Sequence, residues 1–310
     1  MFEQPLPVLP FPTRLQIETT AKCNFRCGSC MHSFEGYDRR NLGHLSRDRF
    51  RHVLEEIPGL KEMELQGVGE PFLNPDAVDI IRLATLRQIH VHTFTNGSML
   101  TPDLCDRIIA SYLHSLTISV DGGTPETYAA LRPGGKLEQT IDNVRHMIAA
   151  KRRAGTSHPY LNFMVVVSQR NVREIPLILD LARELSDIRN VSFTKLSFLL
   201  APEWQDLRIP DQQAHELVQR YGNEWNGLGI QFYFADMSTE ERRACWWPRQ
   251  WVYISVEGYV TPCCNFHDPR QFNLGNIFMR PFVDIWHGEA YRQFRSRLEA
   301  GRFRRECATC

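Results

Sequence analysis

The chain has 310 residues, 43% hydrophobic and 23% charged, with 36 Lys and Arg balancing 36 Asp and Glu. A chain of this length forms one large or two unequal domains and buries about 75% of its unfolded surface without staples. Zero net charge speaks against a nucleic-acid-coating or polybasic membrane protein, no apolar run reaches the ~18 residues of a membrane span, and the start MFEQPLPVLPFP lacks a basic n-region, so a cytoplasmic chain is expected.

Strands and helices alternate from the first predicted strand, 14–20. A helix follows over 46–57, with Ser46 as N-cap and Phe50, Val53, Leu54 and Ile57 on one face. Next come strand 60–66, helix 75–87, strand 89–95 and helix 101–110, the last capped by Thr101 with Pro102 in its first turn. Strand 116–120, a long helix 137–153, strand 161–167, helix 172–185 and strand 191–196 complete the series. Six strands with helices between them predict a parallel sheet with right-handed crossovers, short of a closed eight-fold barrel. From 201 the rhythm breaks. A linker is expected over 201–238, with one helix and then the strand QFYFAD. A second, small domain is expected over 239–310, with the hairpin-like run WVYISVEGYVTPCC and a last helix near 289–300.

Nine cysteines in a reducing compartment point to metal or iron–sulfur ligation, not disulfides. Cys23, Cys27 and Cys30 are spaced C-x3-C-x2-C after the first strand. Three thiolates suit zinc only with a further ligand, such as a distant cysteine or His32. They also suit three irons of a 4Fe–4S cluster whose fourth iron stays open. Gly67-Val68-Gly69-Glu70-Pro71, Thr95-Asn96-Gly97 and Ser119-Val120-Asp121-Gly122 end the second, third and fourth strands. Carboxyl ends of parallel strands are where α/β sheets bind ligands, and glycines let a ligand approach the backbone.

With these motifs, residues 14–200 resemble the radical S-adenosylmethionine (SAM) enzymes. The resemblance implies an α/β fold, a (β/α)6 partial TIM barrel. It also implies a 4Fe–4S cluster on Cys23, Cys27 and Cys30, with SAM chelating the open iron, and a reductant such as flavodoxin or ferredoxin. Gly67, Gly69 and Glu70 would face the methionine amino group, Ser119 would lie near the ribose or carboxylate, and Asn96 would belong to the same site. Arg132, in the run YAALRPGG, would meet the carboxylate or else be a solvated helix end. Ser29 stands where the family usually has an aromatic, so its adenine contact would run through the backbone.

Cys245, Gly258 and Cys263, followed after a long gap by Cys307-x2-Cys310, resemble a twitch or SPASM-type auxiliary-cluster domain. NLGNI at 273–277 and Asp284-Ile285-Trp286 resemble its intervening segments. The cysteine spacing resembles that of the aminocyclitol (2-deoxy-scyllo-inosamine) dehydrogenase of butirosin biosynthesis. Four thiolates imply a second 4Fe–4S cluster that carries electrons; a four-cysteine zinc knuckle is the alternative. The expected activity is oxidation or epimerisation of a small molecule, a sugar or aminocyclitol; the alternative is modification of a peptide or protein side chain. Cys264 is left as an alternate ligand, an inert thiol or a hydrogen-atom donor, and Cys105 as a core residue. His267, Asp268 and Arg270 are candidates for a proton acceptor. Arg292, Arg295, Arg297, Arg302, Arg304 and Arg305, interspersed with acids, read as a solvated face and not a nucleic-acid patch. The 13 residues before the first strand suggest no cobalamin-binding or leader-peptide-recognition domain.

Overall fold

The computed structural model describes residues 9–33, 43–196, 207–222, 224–225, 227–234, 236–266, 268–308 and 310. The first part alternates as the pattern predicts: β1 (Arg14–Ile17), α1 (Arg47–Glu56), β2 (Glu62–Leu65), α2 (Ala77–Thr85), β3 (His90–Thr95), α3 (Pro102–Ala110) and β4 (Ser115–Ser119). After α4 (Pro125–Leu131) and α5 (Leu137–Ala154) come β5 (Tyr160–Val167), α6 (Ile175–Glu184) and β6 (Ile188–Lys195). All six strands pair in parallel with their sequence neighbours.

Local chemistry sets the helix ends. Ser46 accepts a hydrogen bond from the Arg49 N–H at the start of α1, and Thr101 accepts from Leu104 N–H at the start of α3. Gly155 closes α5 in the left-handed region, at φ 61°. The short α4 has no counterpart in the sequence reading. Thr124 caps it through the Thr127 N–H, and Pro125 opens it.

Period-two alternation sorts the strand side chains. Leu15, Ile17, Met63, Leu65, Val91, Leu116, Ile118, Phe163 and Val165 are fully buried in the same core cluster as Phe50, Val53, Ile81, Ile108 and Val144 of the helices. Cys105 is wholly buried there too, which fits the core role expected of it.

The sheet runs beyond the six units. Its order is β11-β10-β9-β1-β2-β3-β4-β5-β6-β8-β7, eleven strands among the described residues. The span expected to be a linker carries α7 (Asp211–Tyr221), β7 (Glu224–Trp225) and β8 (Leu228–Tyr233); β8 joins β6 in parallel. At the other edge β9 (Trp251–Ile254) pairs in parallel with β1, and β10 (Tyr259–Thr261) and β11 (Gly275–Asn276) follow antiparallel. The cysteine-rich segment is therefore continuous with the barrel sheet. Around it lie α8 (Thr239–Arg243), α9 (Trp247–Gln250), α10 (Phe282–Trp286), α11 (Glu289–Glu299) and α12 (Arg305–Ala308).

The arginine-rich end departs from the expected solvated face at two positions. Arg295 is 8% exposed, lies over Trp286 and Tyr291 at 4.2 and 4.0 Å, and donates to the Pro248 and Trp286 carbonyls. Arg304 lies 4.2 Å over Phe272. Both use the guanidinium plane for stacking, which a charge count cannot reveal.

Candidate functional site

A cavity of about 180 Å³ opens at the carboxyl ends of β2, β3 and β4. Its lining brings together all ten residues expected there: Cys23, Cys27, Cys30, Ser29, Gly67, Gly69, Glu70, Asn96, Ser119 and Arg132. His32, the zinc-ligand candidate, is buried in the turn after Cys30 and is not part of this lining.

The motifs are tied to one another. Glu70 is buried; its carboxylate accepts from Thr95 Oγ1 at 2.8 Å, Asn96 N–H at 2.7 Å and Phe72 N–H at 3.3 Å. Burial pushes its carboxyl up to about 7 against the pull of those donors. Asn96 Nδ2 donates to Asn24 in the cysteine loop at 2.9 Å, and Arg26 N–H donates to Pro133 O at 2.8 Å. The glycines of GVGEP serve the chain as well as a ligand. A Cβ on Gly67 would come within 2.5 Å of Glu18, and one on Gly69 would strike the Thr20 and Lys22 carbonyls.

Arg132 is no solvated helix end. It is 8% exposed, pairs with Asp121 at 2.7 Å and places Nη1 3.9 Å from Cys27 Sγ. Asp121 is itself fixed by accepting the Val166 N–H. The Arg132 Nε is buried with no hydrogen-bond partner. A buried cation facing a thiol, with one donor unused, fits an anionic group in the cavity.

A second cavity, about 230 Å³, is lined by Cys245, Cys263, Cys264, Cys307 and Cys310 with Trp246 and Trp247. Burial raises every one of these thiols; Cys307 reaches about 11 and Cys264 about 12. Neighbouring thiols add to the rise, among them Cys310 at Cys245, Cys307 and Cys245 at Cys263, and Cys245 and Cys310 at Cys307. Among the described residues no three His, Cys, Asp or Glu side chains close on a single ion. The thiols stand around cavities, an arrangement that suits a multi-iron cluster better than one tetrahedral zinc. Iron at these sites would supply the positive charge that deprotonates the thiols.

On the strand face below the first cavity lies a residue that sequence reading missed. Gln66, Phe94 and Ser119 line the first cavity, so Glu64, His92 and Thr117 share their strand face two residues below. Glu64 stands in register with Gln16 and His92. Among the described residues nothing hydrogen-bonds or ion-pairs with its carboxylate, which keeps some contact with solvent. Burial first, then Glu62, pushes it up to about 7. After burial, Glu64 is also the main cause of the rise at Cys264, so it lies toward the second cavity too. No motif announces such a residue; only strand register does. Of the three proton-acceptor candidates, His267 lies outside the described residues. Asp268 and Arg270 are bound to each other at 3.0 Å.

Comparison with known proteins agrees with this geometry. Residues 17–206 match the radical SAM superfamily, and residues 245–310 match SPASM, an iron–sulfur cluster-binding domain. The chain is 26% identical to the tungsten-containing aldehyde ferredoxin oxidoreductase cofactor-modifying protein of Pyrococcus furiosus, over 91% of this chain and 82% of that one. It is 27% identical to the mycofactocin maturase MftC of Mycobacterium tuberculosis, over 97% and 76%. Among solved structures, Streptococcus suis SuiB bound to its precursor peptide SuiA superposes with a TM-score of 0.70 at 16% identity, covering 98% of this chain and 70% of that one. BtrN in complex with AdoMet and 2-DOIA gives 0.54 at 16%, covering 95% and 89%.

Proposed function

The chain belongs to the radical SAM superfamily, and on that premise we propose that it oxidises a side chain of a peptide or protein. The observation that carries the chemistry is the single cavity that gathers three cysteines, the GVGEP and TNG motifs, Ser119 and Arg132. Radical SAM and SPASM domains imply SAM, a 4Fe–4S cluster and auxiliary iron–sulfur. In this reading Cys23, Cys27 and Cys30 hold the first cluster, and Cys245, Cys263, Cys307 and Cys310 hold the auxiliary one. When bound, the cluster and SAM supply a 5′-deoxyadenosyl radical that takes a hydrogen atom from substrate.

The chain's own residues do the rest. Glu70, fixed by three donors, and the backbone of Gly67–Gly69 present acceptors to the SAM amino group. Arg132, held by Asp121, offers cationic charge beside Cys27. Glu64, on the strand face below the first cavity and with its carboxylate bound to nothing among the described residues, takes the proton that a two-electron oxidation must release. Carboxyls raised to about 7 are matched to proton transfer near neutral pH.

MftC and SuiB support the peptide substrate over the sugar or aminocyclitol first expected, since BtrN superposes less well than SuiB. The cofactor-modifying relative of P. furiosus keeps a small-molecule substrate as the second reading. The test is anaerobic reconstitution with iron and sulfide, then SAM and dithionite, with peptides encoded beside the gene or with 2-deoxy-scyllo-inosamine. A peptide that loses hydrogen mass as 5′-deoxyadenosine forms supports the proposal. Oxidation of the aminocyclitol instead overturns it.

A further inference from the structure

We infer that Glu18 is a positioning residue, a clasp whose two carboxylate oxygens join the GVGEP loop of the first cavity to the turn after β9. The inference rests on the reading that the first cavity holds SAM. Glu18 directly follows β1, the strand that separates the barrel from the auxiliary segment in the sheet. Its backbone N–H continues the β1–β9 pairing by donating to Ile254 O at 2.9 Å. Its side chain is 5% exposed and turns to both neighbours at once. Oε1 accepts from the Val68 N–H at 2.8 Å, and Oε2 accepts from the Val256 N–H at 3.3 Å.

Gly67 makes room for this carboxylate. Any Cβ there would lie 2.5 Å from both Glu18 Cγ and Oε1. Gly67, Val68, Gly69 and Glu70 all line the first cavity, whereas Val256 belongs to the segment that leads to Cys263. A shift of the auxiliary half therefore pulls on the loop that shapes the SAM site.

Only a carboxylate can make this connection. Both partners are N–H donors, and a glutamine amide has one acceptor oxygen and one NH2. In the Glu18→Gln variant, either orientation of the amide would set an NH2 against an N–H and leave a buried donor unpaired. The far end can be cut separately. Gly258 N–H donates to Ser255 O at 2.8 Å, so Val256 holds the second position of a β-turn, where proline is favoured and the N–H is not needed by the turn. Val256→Pro suits the turn, removes the donor to Glu18 and turns the ring Cδ toward Oε2, so the carboxylate must swing away from its far partner.

The experiment is calorimetric titration of SAM into the anaerobically reconstituted wild type, Glu18→Gln and Val256→Pro, alongside iron content and melting temperature. Burial pushes the Glu18 carboxyl up to about 7, so the titration is run at about pH 8.5, where it is charged; hydrogen bonds to a buried charge are strong enough that Glu18→Gln should then raise the SAM Kd about tenfold, and Val256→Pro about threefold, at unchanged iron content. A merely structural role lowers the melting temperature and leaves the Kd of the folded protein alone. An unchanged Kd in Val256→Pro, whatever Glu18→Gln does, overturns the clasp. A wild type that binds no SAM defeats the reading of the cavity itself, a different result from wild-type binding with unaltered variants.

Discussion

At the residue scale, Glu64 makes two separable predictions. The first concerns protons. Burial raises its folded-state pKa from 4.5 to about 7, so between those values the folded chain holds a proton that the unfolded chain has lost. Stability from this group is therefore full at low pH and falls as pH rises toward about 7. Glutamine cannot titrate. In urea unfolding of the apoprotein, Glu64→Gln should gain stability relative to wild type between about pH 5 and about pH 7.5, while the histidines, common to both chains, cancel in the difference. A constant difference would mean that Glu64 is ionised throughout. The second concerns chemistry: Glu64→Gln should form 5′-deoxyadenosine yet oxidise little or no peptide. The cysteines, GVGEP and TNG were legible in the sequence because thiolate spacing and strand-end glycines carry chemistry in short windows. Glu64 and Glu18 were not, because their roles arise from register with strands far away in the chain. Arg132 was half legible. Its run was noticed, but the burial beside Asp121 that removes the solvated alternative is a tertiary fact.

At the element scale, the six strands and five long helices were visible because each helix has an apolar stripe with turn residues beside it, and α1 and α3 carry side-chain caps as well. The missed helix α4 has only seven residues, too few for a stripe to emerge, and it gains its hold from outside. Glu174, in the turn before α6, accepts from the Gly123 N–H, the Thr124 N–H, Thr124 Oγ1 and Thr127 Oγ1. One carboxylate thus fixes the SVDG loop and the first turn of α4, whose far end presents Arg132. Glu174→Ala should cost about 3 kcal/mol in urea unfolding, since several donors lose one charged acceptor. Glu174→Gln, which keeps one acceptor oxygen, should cost less. Equal stability of all three chains would show that solvent replaces the clamp. The pairing of β1 with β9 was illegible for another reason. Both read as strands, but nothing local says that they lie side by side across more than half the chain.

At the scale of the whole molecule, one continuous sheet carries two cysteine-lined cavities with no lining residue in common. The first reaches Arg132 and the strand ends of the barrel; the second is built from the segment after β8 with its tryptophans. Shared sheet and separate linings together predict divided labour. Cys307→Ala removes one of the five thiols around the second cavity, and one of the four read as cluster ligands, and touches nothing that lines the first. Iron in the reconstituted protein should fall by about half, as expected if each cavity holds one four-iron cluster. SAM cleavage should persist, because Cys23, Cys27, Cys30 and the GVGEP loop are unaltered. Peptide oxidation should stop, since a substrate that has lost a hydrogen atom and a proton still has an electron to give up. The measurement is the ratio of 5′-deoxyadenosine to oxidised peptide, with total iron beside it. A ratio that climbs steeply at half the iron places electron transfer at the second cavity. Product at the wild-type rate in the iron-depleted variant would leave the auxiliary cysteines with a structural role alone.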